Sequence, residues 1–147
     1  MNKTIFFAAF LMLAGFCFAG GPPQCQYGDY FDERLDISWC MMGVGYGMAD
    51  DIADFGGDGV GWDIYGDMAD AREAMWDAAM DCNIAAFNAA YVEFMKAFGE
   101  MRVAYFYFGF MDGMPIGELW SMHSEYMNDL NLCVDYGYGY VYDGPEP

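Results

Sequence analysis

Apolar side chains recur at helical spacing along much of the chain, beginning with the stretch 29–42. One face of that stretch carries, at offsets of 0, 4, 8 and 11, the side chains of Phe31, Leu35, Trp39 and Met42. This spacing predicts an amphipathic helix. The glycine-rich run 43–47 predicts its end, and a short helix is expected over 48–55.

The strongest helical signal covers 67–98, which is rich in alanine, methionine and acidic residues and contains neither proline nor glycine. Asp63 or Asp67 is a candidate N-cap for this helix. The aromatic segment 102–111 is assigned to a helix because no strand partner is evident. A turn at 112–117 separates it from a second clear helix over 118–134, whose apolar residues again follow helical spacing. The predicted fold class is therefore mostly α.

The N-terminus reads as a secretory signal peptide covering 1–19. A lysine precedes the apolar run 5–18, and Cys17 and Ala19 form a small-x-small cleavage site. The run is shorter than the roughly 20 residues that a membrane span requires. We therefore expect a secreted, extracellular protein with a helical domain over 20–134 and a Gly-Tyr-rich tail over 135–147.

Four cysteines remain after the predicted cleavage: Cys25, Cys40, Cys82 and Cys133. An even number in an exported chain predicts two disulfides, for which three pairings are possible. A zinc site is disfavoured because the chain has one histidine and no C-x-x-C pair. The sequence thus predicts a small helical domain that is stapled by disulfides.

The chain carries 5 basic and 23 acidic residues, a formal net charge of −18. Such a charge opposes binding to the phosphates of a nucleic acid and to anionic lipid. We therefore expect neither nucleic acid nor a membrane as a partner.

Six of the acidic residues, which we call the acidic row, fall within a sector about 120° wide on a helical wheel. They are Asp63, Asp67, Asp70, Glu73, Asp77 and Asp81. Like charges four residues apart on a helix destabilise it by roughly 0.2–0.5 kcal/mol per pair, and calcium prefers carboxylate oxygens. One interpretation is weak, collective contact with several calcium ions, without a dedicated cofactor. The alternative is a solvated face that keeps an apolar protein soluble.

The C-terminal tail alternates tyrosine with glycine or valine, and its tyrosines are Tyr136, Tyr138, Tyr140 and Tyr142. In an extended chain these rings lie on one side, where they are expected to support assembly with other chains or polymers. The 14 methionines suit flexible core packing, and a pocket for an apolar ligand is the alternative. No G-x-S-x-G, H-E-x-x-H or P-loop motif occurs, so we expect a protein that is not an enzyme.

The export signal, the acidity, the enrichment in methionine, glycine and tyrosine and the Tyr-Gly tail together resemble secreted mollusc shell organic-matrix proteins. The resemblance is one of composition over 20–147. It implies a structural, non-catalytic role in biomineralization, in contact with calcium or carbonate mineral and with other matrix polymers. The rival hypotheses are a secreted helical carrier of a small apolar ligand and a secreted effector or defence protein.

Overall fold

Four α-helices account for 86% of residues 25–136, the part of the chain that the computed structural model describes, and no strand occurs there. The helices are α1 (Gly28–Asp54), α2 (Val60–Met80), α3 (Ile84–Met111) and α4 (Ile116–Tyr136). The predicted mostly α fold is confirmed. The predicted signal peptide and Tyr138, Tyr140 and Tyr142 lie outside the described residues. None of the described helices has the length and apolarity to cross a membrane.

The first helix does not end at the glycine-rich run, so the prediction of a break at 43–47 and a separate short helix at 48–55 is wrong. Its glycines lie where neighbouring helices come close. A Cβ at Gly45 would lie 3.0 Å from the methyl carbon of Met68, and one at Gly47 would lie 2.7 Å from the ring of Tyr126. Glycine inside a helix costs about 1 kcal/mol relative to alanine. Close packing of helices against the glycines offsets that cost.

The predicted helix over 67–98 is also wrong, because the structure divides it into two helices. α2 begins at Val60, before the predicted cap, and ends at Met80. Cys82 adopts a left-handed φ of 51°, which stops the helix. The side chain of Asn83 then accepts a hydrogen bond from the backbone N–H of Ala86 at 3.1 Å and caps the start of α3.

The helices predicted farther along the chain are confirmed. The aromatic segment 102–111 continues α3 without a break. The turn follows at Asp112, and α4 contains the whole predicted helix 118–134 and extends to Tyr136. The final helix therefore takes in the first two residues of the segment that we assigned to the tail.

Methionine and aromatic side chains fill the interior, which α1 shares with the other three helices. The largest fully buried side chains include Phe31, Met48, Ile52, Met68, Met75, Phe87, Phe94, Met101 and Tyr105. Phe31 of α1 lies against Phe87 of α3, with ring centroids 4.5 Å apart. Methionine adapts to irregular gaps between helices, so packing accounts for the buried thioethers.

Two disulfides hold the helices together, as predicted, and the structure resolves the pairing that the sequence left open. Cys25, just before α1, is bonded to Cys82 in the α2–α3 turn. Cys40, in the middle of α1, is bonded to Cys133 near the end of α4. The second bond is important for α4, which packs mainly on α1, more lightly on α3 and not on α2.

Removing the Cys40–Cys133 bond should release α4. The bond joins residues 93 positions apart, and a closed loop of that size predicts a loss of about 4–5 kcal/mol in the free energy of unfolding. The variant is C40A/C133A, and urea unfolding followed by far-UV circular dichroism measures the loss. A loss below about 1 kcal/mol would contradict this role for the bond.

Two glycines of α2 make a matched pair for testing close helix packing. A Cβ at Gly61 would lie 2.8 Å from the backbone oxygen of Ala49 and 2.9 Å from its Cα, whereas one at Gly66 would meet nothing within 4 Å. Gly66→Ala should raise the free energy of unfolding by about 0.5–1 kcal/mol. Gly61→Ala should lower it by about 1–3 kcal/mol, because neighbouring backbone must move. Equal effects of the two substitutions in urea unfolding would refute this assignment.

Candidate acidic face

Five members of the acidic row lie along α2, and the sixth, Asp81, is the residue that follows its last turn. All six side chains are exposed. At a rise of 1.5 Å per residue, the row extends roughly 27 Å along the helix. The carboxylates therefore form a long strip of negative charge on the surface.

The row faces outward because the opposite side of α2 is committed to the core. Met68 and Met75 are fully buried, and Gly61 and Ala78 are buried with them. The helical period of 3.6 residues then places the intervening carboxylates on the solvent side. Arg72 lies toward α1, with its guanidinium carbon 4.1 Å from the ring centroid of Trp39. On a helical wheel Arg72 likewise falls on the side away from the row.

Part of the row borders an open groove of about 460 Å³ between α2 and α3. Asp67 and Asp70 form the α2 wall, and Glu93, Lys96 and Glu100 come from α3. The alanines that line it are Ala71, Ala74, Ala90 and Ala97. The four carboxylates and one ammonium give the lining a formal charge of −3. Lys96 is paired with Glu93 on its own helix, at 3.7 Å.

Glu93 and Glu100 extend the acidic surface, and sequence reasoning missed them. Glu93 falls within the predicted helix 67–98, and on that helix its wheel angle lies outside the acidic sector. The break at 81–83 instead turns the chain back, so that α3 packs along α2. Their seven-residue spacing, which places both on one helix face, was the only available signal.

The acidic surface distributes its charge along two helices. In residues 25–136 no three His, Cys, Asp or Glu side chains are grouped closely enough to hold a metal ion. A surface of this kind attracts counter-ions through its summed field. No protein-family model, curated protein or solved structure matches the chain.

A second group of titratable side chains, partly or fully buried, lies between α1, α3 and α4. The hydroxyl of Tyr126 donates a hydrogen bond to Oδ2 of Asp51 at 2.8 Å. Burial raises the pKa of Asp51, although this hydrogen bond opposes the rise. Burial likewise raises the pKa of Tyr105 to about 12. No sequence pattern predicts this cluster, because Asp51 and Tyr126 lie 75 positions apart.

His123 is buried in the same region, at 3% exposure. The Nε–H of Arg102 donates a hydrogen bond to Nε2 of His123 at 3.0 Å, so the imidazole is neutral at that nitrogen. Burial and the nearby Arg102 charge both lower the pKa of His123. Its ring lies 4.9 Å from that of Phe106. These contacts give the histidine a structural role.

Acidification should destabilise the protein through His123. Because its pKa is lowered in the folded state, only the unfolded chain takes up the proton just below the ordinary value of about 6.5. The free energy of unfolding therefore decreases as the pH is lowered from about 6.5 to the lowered pKa of His123 in the folded state. As the chain has a single histidine, a proton NMR titration reads this pKa directly.

The matched control is His123→Gln, which keeps an acceptor for Arg102 and removes the titration. In this variant, the free energy of unfolding should no longer show the part of its pH dependence that comes from His123. Asp51, whose pKa is raised, acts in the opposite direction, so the difference between the two proteins is the quantity to compare. A measured pKa of His123 at or above 6.5 would contradict the prediction.

Proposed function

We propose that this protein is a secreted, non-enzymatic structural component of an extracellular, calcified organic matrix. Its acidic row contacts calcium ions or carbonate mineral weakly and collectively. The observation that carries the proposal is that all six carboxylates of the acidic row are exposed, five on α2 and the sixth directly after it. The predicted signal peptide and the two disulfides fit an oxidising, extracellular environment.

The acidic row suits weak binding of many ions better than tight binding of one. Its carboxylates are exposed and therefore well hydrated, so each gains little from a single ion. Their mutual repulsion on one helix is relieved when cations gather. Extracellular calcium-binding modules work at dissociation constants of about 0.1–1 mM, and we assign the row to that range or weaker.

The rigidity of α2 matters for mineral contact. The helix is packed against α1 and α3 along its buried side, so the backbone positions that carry the carboxylates keep a fixed spacing. Fixed anions lose little conformational freedom when they meet an ordered array of cations. In this proposal the Gly-Tyr tail, including Tyr136, Tyr138, Tyr140 and Tyr142, supports assembly with other matrix polymers.

The rival function, a carrier of a small apolar ligand, has one specific feature in its favour. An open groove of about 420 Å³ lies beside the Cys40–Cys133 disulfide and is lined partly by Ile37, Trp39 and Val134. Its remaining lining includes the carboxylates of Glu33 and Asp36, which suit a neutral apolar ligand poorly. Displacement of an apolar fluorescent probe tests this rival, and saturable one-to-one binding would favour it.

Neutralising the centre of the acidic row should remove most of the calcium response. The variant is D70N/E73Q/D77N, and the control is D32N/E118Q/E125Q, which removes the same charge from exposed positions on α1 and α4. We expect millimolar calcium to raise the melting temperature of the natural protein and the control. The row variant should lose more than about half of that rise, because its clustered charge is reduced.

Isothermal titration calorimetry with calcium measures the same interaction independently of unfolding. Sodium chloride at matched ionic strength corrects for screening. The calcium proposal fails if about 10 mM calcium produces neither heat nor a shift in melting temperature. If the row variant and the control respond equally to calcium, the acidic row on α2 is not the calcium-binding surface.

A further inference from the structure

One face of α3 has six positions at the spacing of a coiled-coil seam, of which four are apolar and three of those four are largely exposed. We call it the apolar stripe, and its positions alternate four and three residues apart: Val92, Lys96, Gly99, Val103, Phe106 and Phe110. Val92, Val103 and Phe110 are 61%, 70% and 65% exposed. Repeats of this kind place their side chains along one line of a helix.

The opposite side of α3 already forms the core of the domain. Phe94, Met101 and Tyr105 are fully buried there. α3 is therefore apolar on two sides, and the folded chain covers only one of them. Apolar residues that line up on an exposed face mark an interaction site.

The surface around the C-terminal half of the stripe is also apolar. Trp120 of α4 lies 4.9 Å from the ring of Phe106, and Tyr107, Met111 and Ile116 are all more than half exposed. At typical side-chain areas, the stripe and these neighbours together expose roughly 600 Å² of apolar surface. That is at the upper limit for the largest patch of a typical monomer. Each partner in a standard interface buries about 800 Å², and the area of this patch approaches that value.

We propose that the apolar stripe is the interface between two copies of this chain, which pack α3 against α3 about a two-fold axis. A heptad seam is complementary to itself under such an axis. A Cβ at Gly99 would meet nothing within 4 Å, so the second helix can approach closely at the middle of the seam. Lys96 occupies one seam position, where a polar residue fixes register and number of chains.

The charges beside the stripe favour parallel helices. Glu93 and Glu100 lie on the flank that borders the α2–α3 groove. Arg102 lies on the other flank, where it contacts His123 of α4. In a parallel pair related by a two-fold axis, unlike flanks face each other, so the acidic flank of one copy faces the flank of the second copy that carries Arg102. An antiparallel pair would instead bring the two acidic flanks together.

Sedimentation velocity of the disulfide-bonded protein tests the proposal over a concentration series from about 1 to 100 µM. We expect a monomer–dimer equilibrium that strengthens with sodium chloride, because salt screens the charge of −18 on each copy. V103E/F110E should weaken the dimer by about 100-fold or more, since it places charges in the seam. Both positions are exposed in the monomer, and far-UV circular dichroism checks that the variant folds.

Two further variants separate the seam from general charge effects. V103K/F110K lowers the net negative charge and should still weaken the dimer by about 100-fold, because the seam is again charged. Met80→Glu, on α2, adds acid at a 73% exposed position and should change the dissociation constant by less than about threefold.

A natural protein that remains monomeric at about 100 µM, at high salt, overturns the proposal. So does a dimer that the two seam variants leave intact, because a different surface would then hold it. Binding of the monomer to phosphatidylcholine vesicles, lost in V103K/F110K, would assign the stripe to a lipid surface instead. None of these outcomes depends on calcium, so they leave the proposed matrix function to its own test.

Discussion

The burial of one side of α2 determines which of its residues face solvent. Met68 and Met75 are fully buried between α1 and α3, and this fixes the rotation of the helix. Every carboxylate of the acidic row then points to solvent. A chain with a net charge of −18 can fold around an apolar interior because its charges are sorted to the outside in this way.

The sequence predicts the parts of this fold that follow from local periodicity. It anticipated the helical class, the number of disulfides, the helix at 118–134 and the shared sector of the acidic row. It failed where distant residues decide the local structure. Gly45 and Gly47 look like helix breakers until the side chains of Met68 and Tyr126 are seen against them.

The break at 81–83 was hidden for a similar reason. Nothing in its composition stops a helix, but Cys82 takes a left-handed conformation and is bonded to Cys25. The resulting reversal packs α3 along α2 and brings Glu93 and Glu100 to the edge of the acidic row. The candidate site therefore spans two helices, of which the sequence revealed one.

The acidic row and the apolar stripe divide the surface of the α2–α3 pair into two kinds of contact. One is charged and suits small hard cations, and the other is apolar and suits a packed helix. The proposed matrix role would use both kinds, one toward mineral and the other toward a neighbouring chain. The packing of α3 along α2 keeps the two surfaces in a fixed relation, and the Cys25–Cys82 bond ties the turn between the two helices to the segment before α1.

The most direct test of the central claim is a calcium titration followed by ¹H–¹⁵N NMR. If the row acts collectively, the amide shifts should be concentrated in 63–81 and along the groove edge at 93–100, and they should grow gradually into the millimolar range. Shifts spread evenly over the acidic residues of α1 and α4, or no shifts at all, would contradict the account.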